Sequence, residues 1–217
     1  MSSIISSFEF MMKGGFMMVP MLISALIALT VILERMYVLQ RIYWTSPKWI
    51  SKLFQTLKSE DLKKAAESCR KLNTPISAVL LAGIEHFDNP IDEMELSMKN
   101  RAESWVPLLE QRIEWIDTVI TAAPLMGLLG TITGMMSSFE VLSQKGVNDP
   151  NAITGGVAEA LIATATGLVI ALVCLVAYNF LTTKVKFMIY EIESAASHLV
   201  EARLSAHRRQ GKKRENQ

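Results

Sequence analysis

The sequence predicts an all-α integral membrane protein with three transmembrane helices, the second and third long and extending into a cytoplasmic helical bundle. Half of the 217 residues are apolar and only a fifth are charged, and the mean hydropathy is positive. The net charge of +1 conceals strong segregation. Residues 14–33, 118–139 and 160–183 form uncharged runs of 20, 22 and 24 residues. A hydrocarbon core ~30 Å thick needs about 20 residues of helix rising 1.5 Å each. All three runs reach that length, and three of them in one small chain argue against the alternative, large buried helices of a soluble core.

Residues 1–13 read as an external amino-terminal segment and 14–34 as the first transmembrane helix. That run exceeds the apolar part of a secretory signal, no small-x-small cleavage site follows it, and Glu34-Arg35 ends it abruptly. Pro20 falls near its outer end, where a proline costs a helix least. Residues 35–115 form a cytoplasmic helical region. Within it, Leu62, Ala65, Ala66, Cys69 and Leu72 recur at helical spacing over 59–72, with Ser59-Glu60-Asp61 as a capping start. Asn73-Thr74-Pro75 and Asp88-Asn89-Pro90 break the pattern. From Ile91 the apolar stripe Met94, Met98, Trp105, Leu109, Ile113 and Ile116 leads straight into the second span, residues 116–142. Residues 143–151 hold Lys145-Gly146 and Asn148-Asp149-Pro150, the composition of a tight external hairpin. The third span, 152–183, continues into a cytoplasmic helix and basic tail, 184–217, whose last ten residues are polar enough to predict disorder.

Basic residues near span ends set orientation. Arg35, Arg41, Lys48, Lys52, Lys99, Arg101, Arg112, Lys184, Lys186 and Arg203 flank one side, against Lys13 and Lys145 on the other. This predicts a multi-pass protein of the bacterial inner membrane with its amino terminus outside and its carboxyl terminus cytoplasmic.

Enzymatic chemistry finds no support. His86, His198 and His207 are dispersed, with no partner at metal-ligand or triad spacing. The glycine-rich run from Gly127 to Gly134 lacks a phosphate-binding lysine and lies inside a span. Cys69 and Cys174 form neither a disulfide framework nor a metal pattern. No catalytic residue, cofactor or metal is expected, and a basic tail alone does not argue for nucleic acid.

Polar groups inside the spans remain. Glu159 sits among Ala158, Ala160, Leu161 and Ile162, and an intramembrane carboxylate normally faces a bundle interior or a water-filled cavity. Gly127, Gly130 and Gly134 in the second span, with Ala163 and Gly167 in the third, form small faces that let helices approach closely. Thr131 and Thr164 add hydroxyls at comparable depth, although threonines can bond back to their own helix. Several copies with such faces inward would enclose a mildly polar lumen in which another helix could move. The same residues also suit a structural membrane scaffold or a self-contained channel.

At these positions the sequence resembles the ExbB/TolQ/MotA proton-channel family, most closely its ExbB and TolQ branch. Ala123-Pro124-Leu125-Met126-Gly127-Leu128-Leu129-Gly130-Thr131-Ile132 resembles the second-span signature. Glu159-Ala160-Leu161-Ile162-Ala163-Thr164-Ala165-Thr166-Gly167-Leu168, followed by Ala177-Tyr178-Asn179, resembles that of the third. The resemblance implies a homopentamer that couples proton flow to mechanical work. Its pore would hold two single-span helices of an ExbD/TolR-like partner, each bringing an aspartate, and a TonB/TolA-like protein would transmit the force. It also implies that Thr131, Thr164 and Glu159 line the proton pathway. MotA-type stators have four spans; three argue against flagellar rotation.

Overall fold

The computed structural model describes residues 15–42, 53, 55–56, 62–72, 74–145 and 150–215, and among them every regular element is helical. In chain order these are α1 (Met18–Ile42), α2 (Leu62–Arg70), α3 (Pro75–Glu85), α4 (Ile91–Glu110), α5 (Ile113–Lys145) and α6 (Pro150–Glu215). The chain is all-α. Helix α1, the stretch Ile113–Ser143 of α5 and the stretch Thr154–Arg208 of α6 are long and apolar enough to cross a membrane. Helix α6 has 66 residues. At 1.5 Å per residue it is about 100 Å long, roughly three times the hydrocarbon thickness, so most of it must lie outside the bilayer.

Two compact units divide the chain. The first comprises α1 up to Arg35, α5, and α6 up to Leu181; the second comprises the end of α1, α2 to α4, and α6 from Thr182. In the first unit the buried positions are largely small. Ala28, Ala123, Ala160, Ala163 and Ala171 lie inside, while Leu26, Leu125, Leu128, Leu168, Leu172 and Val176 are exposed. That arrangement inverts a water-soluble core and suits helices whose outer surface meets lipid or other apolar helices. Near the start of α1, Met18 and Met21 pack on Ala163, with Met126 and Ile170 alongside.

The second unit packs like a soluble bundle: Leu80, Met94, Met98, Ile192 and Leu199 are buried. Helix α3 starts at a reciprocal cap. The Ser77 N–H donates to Thr74 Oγ1 at 3.3 Å, the Thr74 N–H donates to Ser77 Oγ at 3.1 Å, and Pro75 fills the first turn. Gly83 lets α3 come close to its neighbours, because a Cβ there would lie 2.5 Å from Met98 Sδ and 2.6 Å from Leu199 Cδ2. Arg203 stacks its guanidinium 5.1 Å from the Phe87 ring centre.

Four local expectations meet a different or partial outcome. Helix α2 spans Leu62–Arg70, and the expected cap at residues 59–61 lies outside the described residues. The expected continuous helix from Ile91 into the second span is interrupted: α4 ends at Glu110, and Arg112 takes a left-handed backbone with φ 64°. An apolar stripe cannot register that break, which rests on the left-handed backbone of one residue. The Arg112 side chain is held from α1, its Nη1 donating to Glu34 Oε1 at 2.7 Å, with Arg35 3.5 Å from the same oxygen. The hairpin expected at 143–151 narrows from both ends, since α5 continues through Lys145 and α6 begins at Pro150, a favoured first helical residue; 146–149 lie outside the described residues. The tail expected to be disordered instead continues α6 to Glu215, its Arg, Lys, Gln and Glu residues being good helix formers. Residues 1–13 lie outside the described residues.

Cys69 on α2 is buried, and burial pushes its thiol up to about 12. A raised thiol pKa leaves little of the reactive thiolate at neutral pH. Maleimide treatment of the folded protein at pH 7.5 should therefore spare Cys69, with modification appearing only after denaturation, as read by peptide mass spectrometry. Rapid labelling in the folded protein would contradict a closed core around α2.

Candidate functional site

The site is built on the seam between α5 and α6, where glycines set the spacing. A Cβ on Gly167 would lie 2.5 Å from the Ala123 carbonyl oxygen, and one on Gly134 would lie 2.8 Å from the Gly156 carbonyl oxygen. One on Gly130 would lie 2.6 Å from Ala163 Cβ, and one on Gly127 would lie 3.0 Å from Thr164 Cα. At Gly127, Gly134 and Gly167 the neighbour is backbone, which cannot rotate away. The α5 ridge of Gly127, Gly130 and Gly134 meets a matching row on α6, with Gly156, Ala160, Ala163 and Gly167 facing it.

Close approach brings a side chain across the seam. Thr164 Oγ1 donates to the Gly127 carbonyl at 3.2 Å, a bond between helices that the sequence reading had not anticipated. Thr131 Oγ1 donates within its own helix to the Leu128 carbonyl at 2.6 Å. Thr133 and Thr166 also bond to carbonyls of their own helices. Both Thr131 and Thr164 are half-buried. With each hydroxyl proton committed to a carbonyl, what each oxygen offers outward is acceptor capacity.

Helical geometry fixes which face each group occupies. Successive α-helical residues turn by about 100°. On α6, Ala163 and Ile170 mark the side packed against α1, and on α5, Met126 and Gly130 do so. Thr164 and Thr131 fall on the opposite side of the α5–α6 pair from α1. Glu159 precedes Thr164 by five residues, about 140° around α6, and lies toward α1. There its carboxylate rests against Gly15, occupying the space a Cβ would need. Gly15 has φ 75°, and its carbonyl accepts the Met18 N–H at 3.1 Å as α1 begins. The structure thus brings the two threonines to one face and sets Glu159 apart from them. Gly15 was not singled out in the sequence; its only signal is the Gly14-Gly15 pair before the first apolar run. Among the described residues no group of His, Cys, Asp and Glu side chains is gathered to hold a metal.

The model of the MotA/TolQ/ExbB proton channel family matches residues 71–194, a stretch containing the seam, both threonines and Glu159. The chain belongs to this family. An ExbB-like biopolymer transport protein of Synechocystis is 31% identical over 170 residues, covering 77% of this chain and 81% of that protein. Biopolymer transport protein ExbB of Aquifex aeolicus is 35% identical over 115 residues, covering 53% of this chain and 77% of its own length. The Tol-Pal system protein TolQ of Haemophilus influenzae is 40% identical over 92 residues, 42% of this chain and 39% of that protein. Family membership and three spanning-length apolar helices make this a membrane protein.

The seam yields a paired prediction. Gly167→Ala, aimed at the Ala123 carbonyl, should force α5 and α6 apart and destabilise the protein by about 1–3 kcal/mol, the usual cost of overpacking. Gly155→Ala meets nothing within 4 Å and should be neutral or slightly stabilising. Thermal denaturation of both variants in detergent, followed by size-exclusion chromatography, checks this; equal midpoints would mean the seam can relax.

Proposed function

We propose that the protein is the pore-forming scaffold subunit of an ExbB/TolQ-type proton-driven motor in the bacterial inner membrane. In this reading the spans are residues 14–34, 116–142 and 152–183, the amino terminus lies outside and the carboxyl terminus is cytoplasmic. Five copies form a ring, with the face shared by Thr131 and Thr164 turned to the lumen and α1 at the periphery. An ExbD/TolR-like partner supplies two single-span helices, and its protonatable carboxyls deliver force to a TonB/TolA-like protein. Relatives named as biopolymer transport and Tol-Pal proteins support that choice of partners.

The observation that carries the reading is the shared face of the two threonines. Their hydroxyl protons are spent on the Leu128 and Gly127 carbonyls, so the lumen presents acceptors. An acceptor stabilises the protonated form of a facing carboxylic acid, which must donate, more than its ionised form, which only accepts. A pore lined this way favours proton uptake by a partner carboxyl at that depth without itself holding a charge. Glu159, beside the start of α1, serves as the proton-collecting carboxylate nearer the outer surface.

The competing scaffold reading draws on the Thr164–Gly127 bond, which would hold the helices together whether or not protons pass. Thr131→Val and Thr164→Val separate the two. Each removes one hydroxyl at nearly constant volume, so the ring should keep its mass by native mass spectrometry, with stability falling by about 1 kcal/mol. Proton flux into vesicles containing ring and partner should fall by on the order of tenfold or more, the scale of a 1.4 kcal/mol change or larger in a barrier. Full flux in both valine variants and in Glu159→Gln would sink the site assignment.

A further inference from the structure

The second unit contains a groove that its own helices do not fill. Met98, Ala102 and Val106 of α4 line one wall and Ile189, Ile192 and Ala196 of α6 the other, around a volume of about 510 Å³. That is the size range of sites that enclose an apolar group, roughly 300–1,000 Å³. Glu95, Glu103 and Glu193 stand on the rim with Lys99, a net negative border.

The same stretch of α6 displays a complementary feature. Phe187 and Tyr190 are 47% and 65% exposed, although they follow the third uncharged run and sit among Lys184, Lys186 and Glu191. The two aromatics form a ridge about 140° around α6 from the groove-lining stripe and at overlapping height along the helix. One helix therefore carries an apolar projection bordered by the exposed Lys186 and an apolar recess bordered by carboxylates. Because projection and recess are different patches of one chain, their union is head-to-tail: each copy uses its ridge on one neighbour and its groove on the other. Heterologous contacts of this kind close into rings when the rotation permits.

We propose that the Phe187–Tyr190 ridge of α6 docks into the α4–α6 groove of a neighbouring copy of this chain. The proposal rests on the multi-copy reading given above and assigns it a contact outside the bilayer. Buried aromatics anchor the joint, and Lys186 meets the acidic rim. Such a joint ties the copies together on a surface separate from the α5–α6 seam.

The test uses the full chain in membranes with Ala102→Cys on the groove wall and Ser194→Cys one turn below Tyr190, leaving the ridge intact. A short-spacer bismaleimide should give a ladder of covalent multimers extending beyond the dimer, since every copy holds one site of each kind. The two single-cysteine variants should give none, which also accounts for native Cys69 and Cys174. Adding Phe187→Ala and Tyr190→Ala should reduce the ladder on the order of tenfold, as truncating a buried aromatic anchor does. Native mass spectrometry is run on every variant. A multimer of unchanged mass without a ladder overturns the docking while leaving the ring intact, as expected if the aromatics meet lipid headgroups. A ladder that stops at dimers shows a self-complementary contact and also overturns it. A crosslink formed only to a co-expressed partner assigns the groove to that partner and overturns it too. A monomer throughout sinks both this proposal and the ring.

Discussion

The separation of the α5 and α6 backbones governs the rest of the first unit. In lipid there is no hydrophobic gain from pressing one apolar helix on another, so association depends on close van der Waals contact and on bonds between helices. Glycines and alanines along both helices supply the contact: Gly127, Gly134, Gly156 and Gly167 all have backbone atoms of the facing helix where a side chain would begin. That approach is what allows the Thr164 hydroxyl to reach the Gly127 carbonyl. Along the seam itself it leaves no room for large side chains, so Leu125, Leu128, Leu168, Leu172 and Val176 lie on the exposed surface. A seam of small residues and an apolar exterior are two consequences of one spacing.

Helix α6 joins two packing regimes without a break. Before Leu181 its buried residues are small and its exposed ones mostly large; from there on, Leu181, Val185, Met188, Ile192 and Leu199 are buried while Lys186, Glu193 and Glu201 are exposed. The change coincides with the return of charge at Lys184. Water supplies the driving force in the second regime, rewarding burial of large side chains, whereas in the first the surroundings are already apolar. The same helical period therefore presents opposite size patterns along one element, which is why length and charge identify the span while periodicity alone does not.

The three spans, the all-α class and the small-residue rows were legible because they depend on local composition. Runs free of charge and the spacing of Gly127, Gly130 and Gly134 need no tertiary knowledge. The break at Arg112 was not legible. Its left-handed backbone is accompanied by an ion pair to Glu34, 78 residues earlier in the chain, and no window of sequence contains both. Thr164 illustrates a second limit. Four of the threonines could equally have bonded within their own helices, and only the position of Gly127 across the seam selects Thr164 to bond outward. Gly15 escaped notice for the same reason, since Glu159 lies far from it in sequence.

The angular separation of Glu159 from Thr164 constrains how a proton could travel. Within one copy the threonines lie on the face away from α1, and the Glu159 carboxylate lies beside the start of α1. In the proposed ring, a proton collected at Glu159 would have to pass around α6 before meeting the threonine face. That path would need bridging water or groups from a neighbouring copy. This differs from a pore drilled through one bundle, where each subunit carries a whole path. In that reading the small-residue seam sets the acceptors, the turn before α1 sets the acid, and assembly would connect them.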